Sequence, residues 1–478
     1  MKKKHILCIC LQIILLQLTY TATAQKTVFG SSSLKPRIVV LTDIAPADLE
    51  PDDMESMVRL FVHADLFEIE AVITSGGWNT SDRVYPISWK DSLSTVTNAY
   101  EKDLPNLIKR SGQHSFLPLK KESGKQKIGY WPSVEYLKSR SFMGSLELGQ
   151  AKIGKENNSA GSDFIIQLLD EADDRPLWVL AWGGANTLAQ ALWKVKEERS
   201  EKELKTILHK LRVYTITDQD VSINDAKNFA FSSHQWMRKE FGKDLYFIWD
   251  ESAWLAQNAI GSKNWEDYAK HIQTHGNLGA VYPTYKWGVE GDTPSFLHVL
   301  PNGLNDPNTE RQTGWGGYFE WGMSRDGITS CYTNFVQPAK GISEKYENYF
   351  YPATFANFAA RMDWAHKGMG NRNPVVIVNK KKGMNNIRIN TQTGKTIKLD
   401  ASKSFDPDNN RLSFHWWIMP ESGTYTGTIK IDNSDHNYTT IKIPTDAAGK
   451  SFHVICEVTD DGEHQLKSYR RIIVEVGK

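Results

Sequence analysis

A wholly apolar run at residues 38–41 lies near the start of the chain and ends just before Asp43. β-Branched residues dominate the run, which is typical of a strand that is buried on both faces. Asp52 and Asp53 then open a segment whose apolar residues recur at helical spacing. Three carboxylates therefore gather at the carboxyl end of a first strand, which is the edge where open α/β sheets bind ligands.

These acidic residues admit two interpretations. Carboxylates packed this closely repel one another unless a cation neutralises them, and Ca²⁺ prefers several oxygen ligands. The stretch is therefore a candidate Ca²⁺ site. The same residues also fit a structural role, in which Asp52 caps a helix and Asp53 complements the helix dipole. The stretch alone leaves both interpretations open.

Length and charge limit the classes of protein that this chain can represent. The 478 residues are too many for one small core, so two domains are expected. The net charge is +1, from 57 basic and 56 acidic residues. That balance argues against a protein that binds a nucleic-acid polymer or a membrane surface by electrostatics. The sequence assigns no oligomeric state.

The first 24 residues have the pattern of a signal peptide. Three lysines precede an apolar run, and small residues follow it at 22–24. We therefore predict that residues 1–24 direct a secreted or periplasmic protein. The apolar run is too short for a comfortable membrane span, and the rest of the chain contains no stretch that is long and apolar enough.

Apolar segments alternate with helical patterns through the first two thirds of the chain. Runs at 67–74, 176–182, 212–217 and 245–249 each end in polar or glycine residues. This alternation predicts an α/β domain with a mostly parallel sheet, covered on both faces, over residues 37–366.

The last hundred residues have a different pattern. Short segments of alternating polarity recur between residues 375 and 476, separated by turn signals that are rich in Asp, Gly and Pro. Such spacing predicts an all-β immunoglobulin-like sandwich over residues 373–478. The simplest role for this domain is to support the first domain or to dock a partner.

A loop region at 282–321 is rich in Gly, Asn, Asp and Trp. Long ordered loops often carry function. Its rings could stack on sugars, but aromatic side chains in such loops also pack on one another. The candidate rings are Trp287, Trp315, Tyr318 and Trp321.

The first domain resembles the nucleoside hydrolases, which open with a strand followed by Asp-X-Asp-Pro-Gly-X-Asp-Asp. Asp43 matches the second Asp of that pattern, and Asp52 and Asp53 match the final pair. Residues 183–189, Gly-Gly-Ala-Asn-Thr-Leu-Ala, are similar to the family's ligand loop. Asp292, in Glu-Gly-Asp-Thr-Pro-Ser-Phe, is the best match to the family's late Asp.

The combination of both domains resembles more specifically a secreted bacterial family described as cellulose-binding and nucleoside-hydrolase-like. The shared text includes residues 177–192, residues 291–296 and the Asp-Pro-Asp at 406–408. This resemblance covers nearly the whole chain after the signal peptide. It implies a sugar-containing substrate or a polysaccharide as the partner.

The resemblance also implies roles for individual residues. Asp43, Asp53, Asp292 and the backbone carbonyl of Asn186 would hold Ca²⁺. Asp43 would also act as the general base on a Ca²⁺-bound water that attacks a glycosyl bond. The residues expected to bind substrate are Asp52, Asn79, Asp292, Trp287 and Glu290.

Three departures from nucleoside hydrolases bear on specificity. Leu41 replaces the first Asp, eight residues separate Asp43 from Asp52 where the family pattern has three, and Gly291 replaces a His that can protonate a leaving group. Glu290 or His234 could supply that proton, although a lone Glu or His is more often structural. The alternative function is a carbohydrate-binding protein without turnover.

Overall fold

The computed structural model describes residues 34–77, 88–221, 229–309, 311 and 313–478. The predicted signal peptide and Asn79 lie outside these residues. Within them, no helix combines the length and the apolar character needed to cross a bilayer.

The larger sheet has eight strands in the described part of the chain, in the order β3-β2-β1-β4-β5-β6-β10-β9. Every neighbouring pair is parallel except β9 and β10. The mostly parallel sheet predicted from the sequence is therefore confirmed. Its strands are β1 (Arg37–Thr42), β2 (Glu68–Thr74), β3 (Ser141–Met143), β4 (Leu177–Ala181), β5 (Leu211–Ile216), β6 (Tyr246–Asp250), β9 (Glu320–Met323) and β10 (Ser330–Thr333).

Helices cover both faces of this sheet. Because successive side chains of a strand point to opposite faces, Ile38 and Val40 of β1 enter one apolar core while Val39 and Leu41 enter another. The helices α1 to α13 are, in order, Pro51–Phe61, Ser88–Ser111, Leu119–Glu122, Val134–Ser139, Ala160–Asp170, Asn186–Glu198, Glu201–Lys210, Ser233–Phe241, Ala253–Lys263, Trp265–Tyr268, Gly276–Ala280, Thr293–Val299 and Ala339–Lys367. Short 3₁₀ turns lie at Gln150–Lys152, Phe229–Phe231, Gly242–Asp244 and Pro420–Ser422, and a π-helical turn lies at Ala269–Gln273.

Register brings the carboxyl ends of the central strands level. Leu41 of β1 pairs with Ile73 of β2 on one side and with Ala181 of β4 on the other. Thr215 of β5 is in turn level with Ala181. The residues that follow these strands therefore meet at one edge of the sheet.

The C-terminal region is all-β, as predicted. One sheet has the order β11-β17-β16-β13 and the other β12-β15-β14, and all pairs are antiparallel except β11 with β17. The strands are β11 (Ile387–Thr391), β12 (Thr396–Asp400), β13 (Leu412–Met419), β14 (Ile431–Asp432), β15 (Tyr438–Lys442), β16 (Ser451–Asp460) and β17 (Lys467–Val476). A separate small hairpin joins β7 (Thr313–Gly314) to β8 (Gly317–Tyr318).

The two regions share buried surface. Met419, Ile455 and Tyr469 of the C-terminal sheets belong to the same apolar cluster as Phe350 of α13. The predicted domain limits at 366 and 373 remain a prediction, since this cluster continues across them.

Arg471 of β17 links the two regions through polar contacts. Its side chain is buried, and it donates to the carbonyls of Leu304 at 2.6 Å and Thr313 at 2.5 Å. These carbonyls belong to the aromatic loop region of the first domain, so Arg471 holds that loop against the C-terminal sheet.

We expect Arg471→Ala to lower the free energy of unfolding by about 2–4 kcal/mol, because two buried carbonyls would lose their donor. Urea unfolding of the full chain measures this change. The matched control is Arg388→Ala on the neighbouring strand, whose ion pair with Glu475 is half exposed and contributes less than about 1 kcal/mol. Equal losses in both variants would contradict this assignment.

Candidate carboxylate site at the sheet edge

Asp43 follows β1 and is enclosed by the turns after two neighbouring strands. A Cβ added to Gly183 would lie 2.9 Å from Asp43 Oδ1, and a Cβ added to Gly77 would collide with Oδ2. Glycine is required at both positions because any side chain would displace the carboxylate. The turn at Gly183, in the loop that is similar to the family's ligand loop, is thus one wall of the site.

Helix α1 brings further carboxylates to the same edge. Glu50 occupies its N-cap position without a side-chain capping bond, and Asp52 and Asp53 lie in the first turn. The prediction that Asp52 is the cap is therefore wrong, since Pro51 at the first helical position shifts the start by two residues. The favourable position of Asp53 near the positive end of the helix is consistent with its predicted dipole role.

Five acidic side chains meet here: Asp43, Glu50, Asp52, Asp53 and Asp292 form what we call the carboxylate site. One oxygen each of Glu50, Asp52 and Asp53 lies within 4.8 Å of the other two. Thr42 donates a short hydrogen bond to Asp53 Oδ1. The structure thus brings together four acidic residues predicted from the sequence and adds Glu50.

The carboxylate site holds concentrated negative charge. Burial, and then the charges of Asp43 and Asp52, raise the pKa of Asp53 well above its ordinary value. The pKa of Asp292 rises for the same reasons, with Asp53 its strongest charged neighbour. For Glu50, burial and the charges of Asp52 and Asp43 raise the pKa to about 12. A metal-free site would therefore retain protons at neutral pH.

Several oxygens of this site lack a hydrogen-bond donor. Glu50 Oε2, Asp52 Oδ1 and Asp292 Oδ2 are buried without one. Among the described residues, Glu50, Asp52, Asp53 and Asp292 form no ion pair with Lys, Arg or His. Unsatisfied buried carboxylate oxygens are costly, and a bound cation removes that cost. Because every available ligand atom is oxygen, the site fits a hard cation such as Ca²⁺.

Asp292 is positioned by a strained turn. Glu290 precedes it with a φ of +60°, in the left-handed region that side chains other than glycine rarely adopt. Arg59 pairs with the Glu290 carboxylate, and the Tyr282 hydroxyl donates to it at 3.0 Å. The Glu290 side chain is fully buried, and these contacts hold the turn that precedes Asp292; its substrate-binding role remains a prediction.

The His234 side chain is also buried in the interior. One of its ring nitrogens lies 2.7 Å from Thr215 Oγ1, and the other contacts Arg238. The ring packs edge-on against Phe247 and Trp249. This enclosure gives His234 a structural position and does not present it to a leaving group.

Asn186 is the first residue of α6, so its backbone carbonyl belongs to the hydrogen-bond ladder of that helix. Its side-chain amide donates to the carbonyl of Gly149 at 2.7 Å. Gly183, three residues earlier, is the part of this loop that contacts Asp43. Metal binding by the Asn186 carbonyl remains a prediction.

The aromatic loop divides into exposed and buried rings. Trp287 is 65% exposed, and Lys286 beside it donates to the carbonyl of Asp48 at 2.8 Å. That bond places Trp287 next to the loop that carries Glu50. Trp315 and Tyr318 are each only 2% exposed, so for these two rings the packing alternative holds and sugar stacking is excluded.

Sequence reasoning missed two further polar groups near the site. A Cβ on Gly291 would lie 3.1 Å from Asp52 Oδ2 and 3.2 Å from Asn258 Oδ1, so Asn258 of α9 faces the same space. Asp220 follows β5, and its Oδ1 would lie 3.2 Å from a Cβ on Gly184. The position of Asp220 in the polar segment that follows β5 was a usable signal. Asn258, in mid-helix, gave none.

Comparisons with known proteins agree with this architecture. A family model for the nucleoside hydrolase-like domain of cellulose-binding Sde182 matches residues 37–319. A second model, for the C-terminal domain of the cellulose-binding protein Sde0182, matches residues 396–476. A search of curated proteins found no match.

One solved structure is similar over almost the whole chain. It is a nucleoside hydrolase-related hypothetical protein from Saccharophagus degradans, described as associated with carbohydrate metabolism, with 33% identity and a TM-score of 0.77. The alignment covers 92% of this chain and 100% of that one. The PKD domain from the KIAA 1837 protein, at 18% identity, covers 20% of this chain and 82% of its own with a TM-score of 0.15, which carries no argument.

The first family model spans more than half of the chain, and the Saccharophagus relative extends the similarity through the C-terminal sheets. The resemblance inferred from the sequence motifs is thereby confirmed. The chain belongs to the cellulose-binding Sde182 family, with its nucleoside hydrolase-like domain followed by the Sde0182 C-terminal domain.

Proposed function

We propose that the carboxylate site binds Ca²⁺ together with sugar hydroxyl groups and hydrolyses a glycosyl bond. The observation that carries this proposal is the set of buried, donor-free oxygens on Glu50, Asp52 and Asp292. Such oxygens call for positive charge and for hydroxyl donors, and a sugar bound with a cation supplies both. The descriptions of the relatives, cellulose-binding and nucleoside hydrolase-related, support a carbohydrate ligand.

The residues fit distinct parts of this reaction. Asp43, Asp53 and Asp292 would hold the ion, with Glu50 as a further oxygen donor and the Asn186 carbonyl as the ligand that the family implies. Bound there, Ca²⁺ supplies positive charge that lowers the pKa of water and orients hydroxyl groups.

The chain's own side chains supply the remaining chemistry. Asp43 accepts a proton as the general base from the water that attacks the anomeric carbon. The glycosyl bond breaks as the new carbon–oxygen bond forms, and the leaving group departs with the bonding electron pair and takes its proton from solvent. Asp52 accepts a hydrogen bond from a sugar hydroxyl through its donor-free Oδ1. The negative charge of the buried carboxylates stabilises the positive, oxocarbenium-like sugar of the transition state, and the low dielectric of the site strengthens this effect.

One observation favours a second candidate function, carbohydrate binding without turnover. Glu290 and His234, the two leaving-group acids suggested by the sequence, are both held in buried networks. In this alternative the cation and Asp52 still bind hydroxyl groups, and the exposed ring of Trp287 offers a surface for stacking. The two functions share a site and differ only in bond cleavage.

Substitution of Asp43 separates these functions. We expect the mature protein with Ca²⁺ to release product from at least one member of a panel of nucleosides and plant-type oligosaccharides. On that substrate, Asp43→Asn should lower kcat by about 10²–10⁴-fold, because the general base is removed. Asp48→Asn, an exposed carboxylate on the same loop, is the control. If the protein binds insoluble glucan but releases product from none of the substrates, hydrolysis is ruled out and carbohydrate binding is its function.

Stability should depend on pH and Ca²⁺ through Asp53 and Asp292. Their pKa values are higher in the folded protein than in the unfolded chain. The stability that they contribute is therefore complete below the ordinary aspartate pKa of 3.8 and is lost as pH rises through the raised folded values. Calorimetry of the metal-free protein should show a thermal midpoint that falls from pH 5 to pH 8.

Calcium should reverse this loss, by about 2.7 kcal/mol at 100 times its Kd. Asp53→Asn should flatten the pH dependence of the thermal midpoint, because one of the repelling carboxylates is removed. It should also abolish the response to Ca²⁺, because the same carboxylate is a proposed ligand of the ion. Asp48→Asn should behave as the unmodified protein does. A Ca²⁺ response that survives in Asp53→Asn would rule out this metal site.

Trp287 should contribute to the binding of polysaccharide. We expect Trp287→Ala to weaken binding to insoluble cellulose about 5–30-fold, because an exposed ring beside the site is removed. Pull-down at a series of protein concentrations measures the change. Tyr438→Ala, which removes an exposed ring from β15, is the control. Unchanged binding in Trp287→Ala would exclude this ring from the ligand surface.

A further inference from the structure

A second group of metal-ligand side chains lies where the turn between β16 and β17 meets the end of α13. One ligand atom each of Asp363, Glu463 and His464 lies within 4.8 Å of the other two. His464 Nε2 is 2.9 Å from Asp363 Oδ2, and His275 Nε2 is 3.3 Å from Asp363 Oδ1. Two imidazoles thus face the two oxygens of one buried carboxylate.

The backbone of this turn is held in an unusual conformation. His464 and Gln465 have φ values of +65° and +50°, in the left-handed region. The side-chain amide of Asn371 donates to the carbonyl of Glu463 and to Asp460 Oδ1, both at 2.9 Å. The turn is therefore fixed with its imidazole directed at Asp363, and strain of this kind tends to occur at functional sites.

The second imidazole, that of His275, holds the Asp363 carboxylate from its other side. His275 Nδ1 lies 2.9 Å from the hydroxyl of Thr274, so its Nε2 remains for Asp363. Carboxylates that bind a metal are in turn hydrogen-bonded by neighbouring groups, and this contact makes His275 a positioning residue for Asp363.

We propose that Asp363, Glu463 and His464 bind a zinc-class transition-metal ion that fastens the C-terminal sheets to α13, while His275 holds the Asp363 carboxylate in place. One imidazole and two carboxylates suit Zn²⁺, whereas Ca²⁺ prefers oxygen ligands alone. Zinc bonds of about 2.0–2.2 Å place tetrahedral ligand atoms about 3.3 Å apart. One ligand atom each of Asp363, Glu463 and His464 lies within 4.8 Å of the other two, and rotation of the side chains closes the remaining distance.

The ion can reach these ligands from solvent. Glu463 is exposed and His464 is half-buried, while Asp363 forms the buried floor. The carboxylate site uses none of these residues. Metal binding at the two sites can therefore be measured separately in the same protein.

The test uses the full chain without residues 1–24, stripped with a chelator and saturated with Ca²⁺. Titration with Zn²⁺ against a chromophoric competitor should show one site, weakened at least 10-fold by His464→Ala and by Glu463→Gln. Co²⁺ in its place should give the intense visible absorption of a tetrahedral centre. Because Glu463 is exposed, Glu463→Gln should fold even where His464→Ala does not.

Two control variants should keep zinc binding. Asp53→Asn alters only the carboxylate site, and His415→Ala removes a half-exposed histidine that pairs with Asp435. Absence of micromolar zinc binding in the parent protein would overturn the proposal. So would affinity that is unchanged in Glu463→Gln, or lost in either control.

Discussion

Burial of like charge is the constraint on which the first domain depends. The five acids of the carboxylate site lie in a low-dielectric environment where their repulsion is strong, and bound protons or a cation must offset it. Several features of the surrounding structure position these acids. The level ends of β1, β2 and β4 place its walls, Gly77 and Gly183 leave room for Asp43, and the Arg59–Glu290 ion pair fixes the turn before Asp292.

The C-terminal sheets are continuous with the first domain in packing. Arg471 donates hydrogen bonds to two backbone carbonyls of the aromatic loop region. The ring of Tyr469 packs edge-on against the ring of Trp315 in the same loop region. Much of that loop is therefore an interface that holds the two regions together, and Trp287 remains as its exposed ring. The turn at His464 meets α13 on the same shared boundary, which gives the proposed zinc ligands a structural purpose.

Local pattern was enough to predict the fold class and most of the carboxylate site. Strands buried on both faces are continuously apolar, and the parallel arrangement brings their carboxyl ends to one edge. Asp43, Asp52 and Asp53 could therefore be grouped from their positions after β1. Asp292 lies far along the chain, and only the resemblance to nucleoside hydrolases identified it.

The sequence by itself determined the alternation of the central strands with helices and the presence of clustered acids, because these follow from hydrophobic periodicity and strand ends. The outer strands β3, β9 and β10 were not predicted. Only the tertiary structure decided which polar side chains are already engaged. From the sequence alone, Glu290 and His234 could be catalytic acids. In the fold, Glu290 forms an ion pair with Arg59, and His234 forms a hydrogen bond with Thr215. Glu50 is the opposite case: the sequence did not single it out, and only the tertiary packing brings it into the carboxylate site. The partner of a side chain depends on three-dimensional contacts that no local pattern encodes.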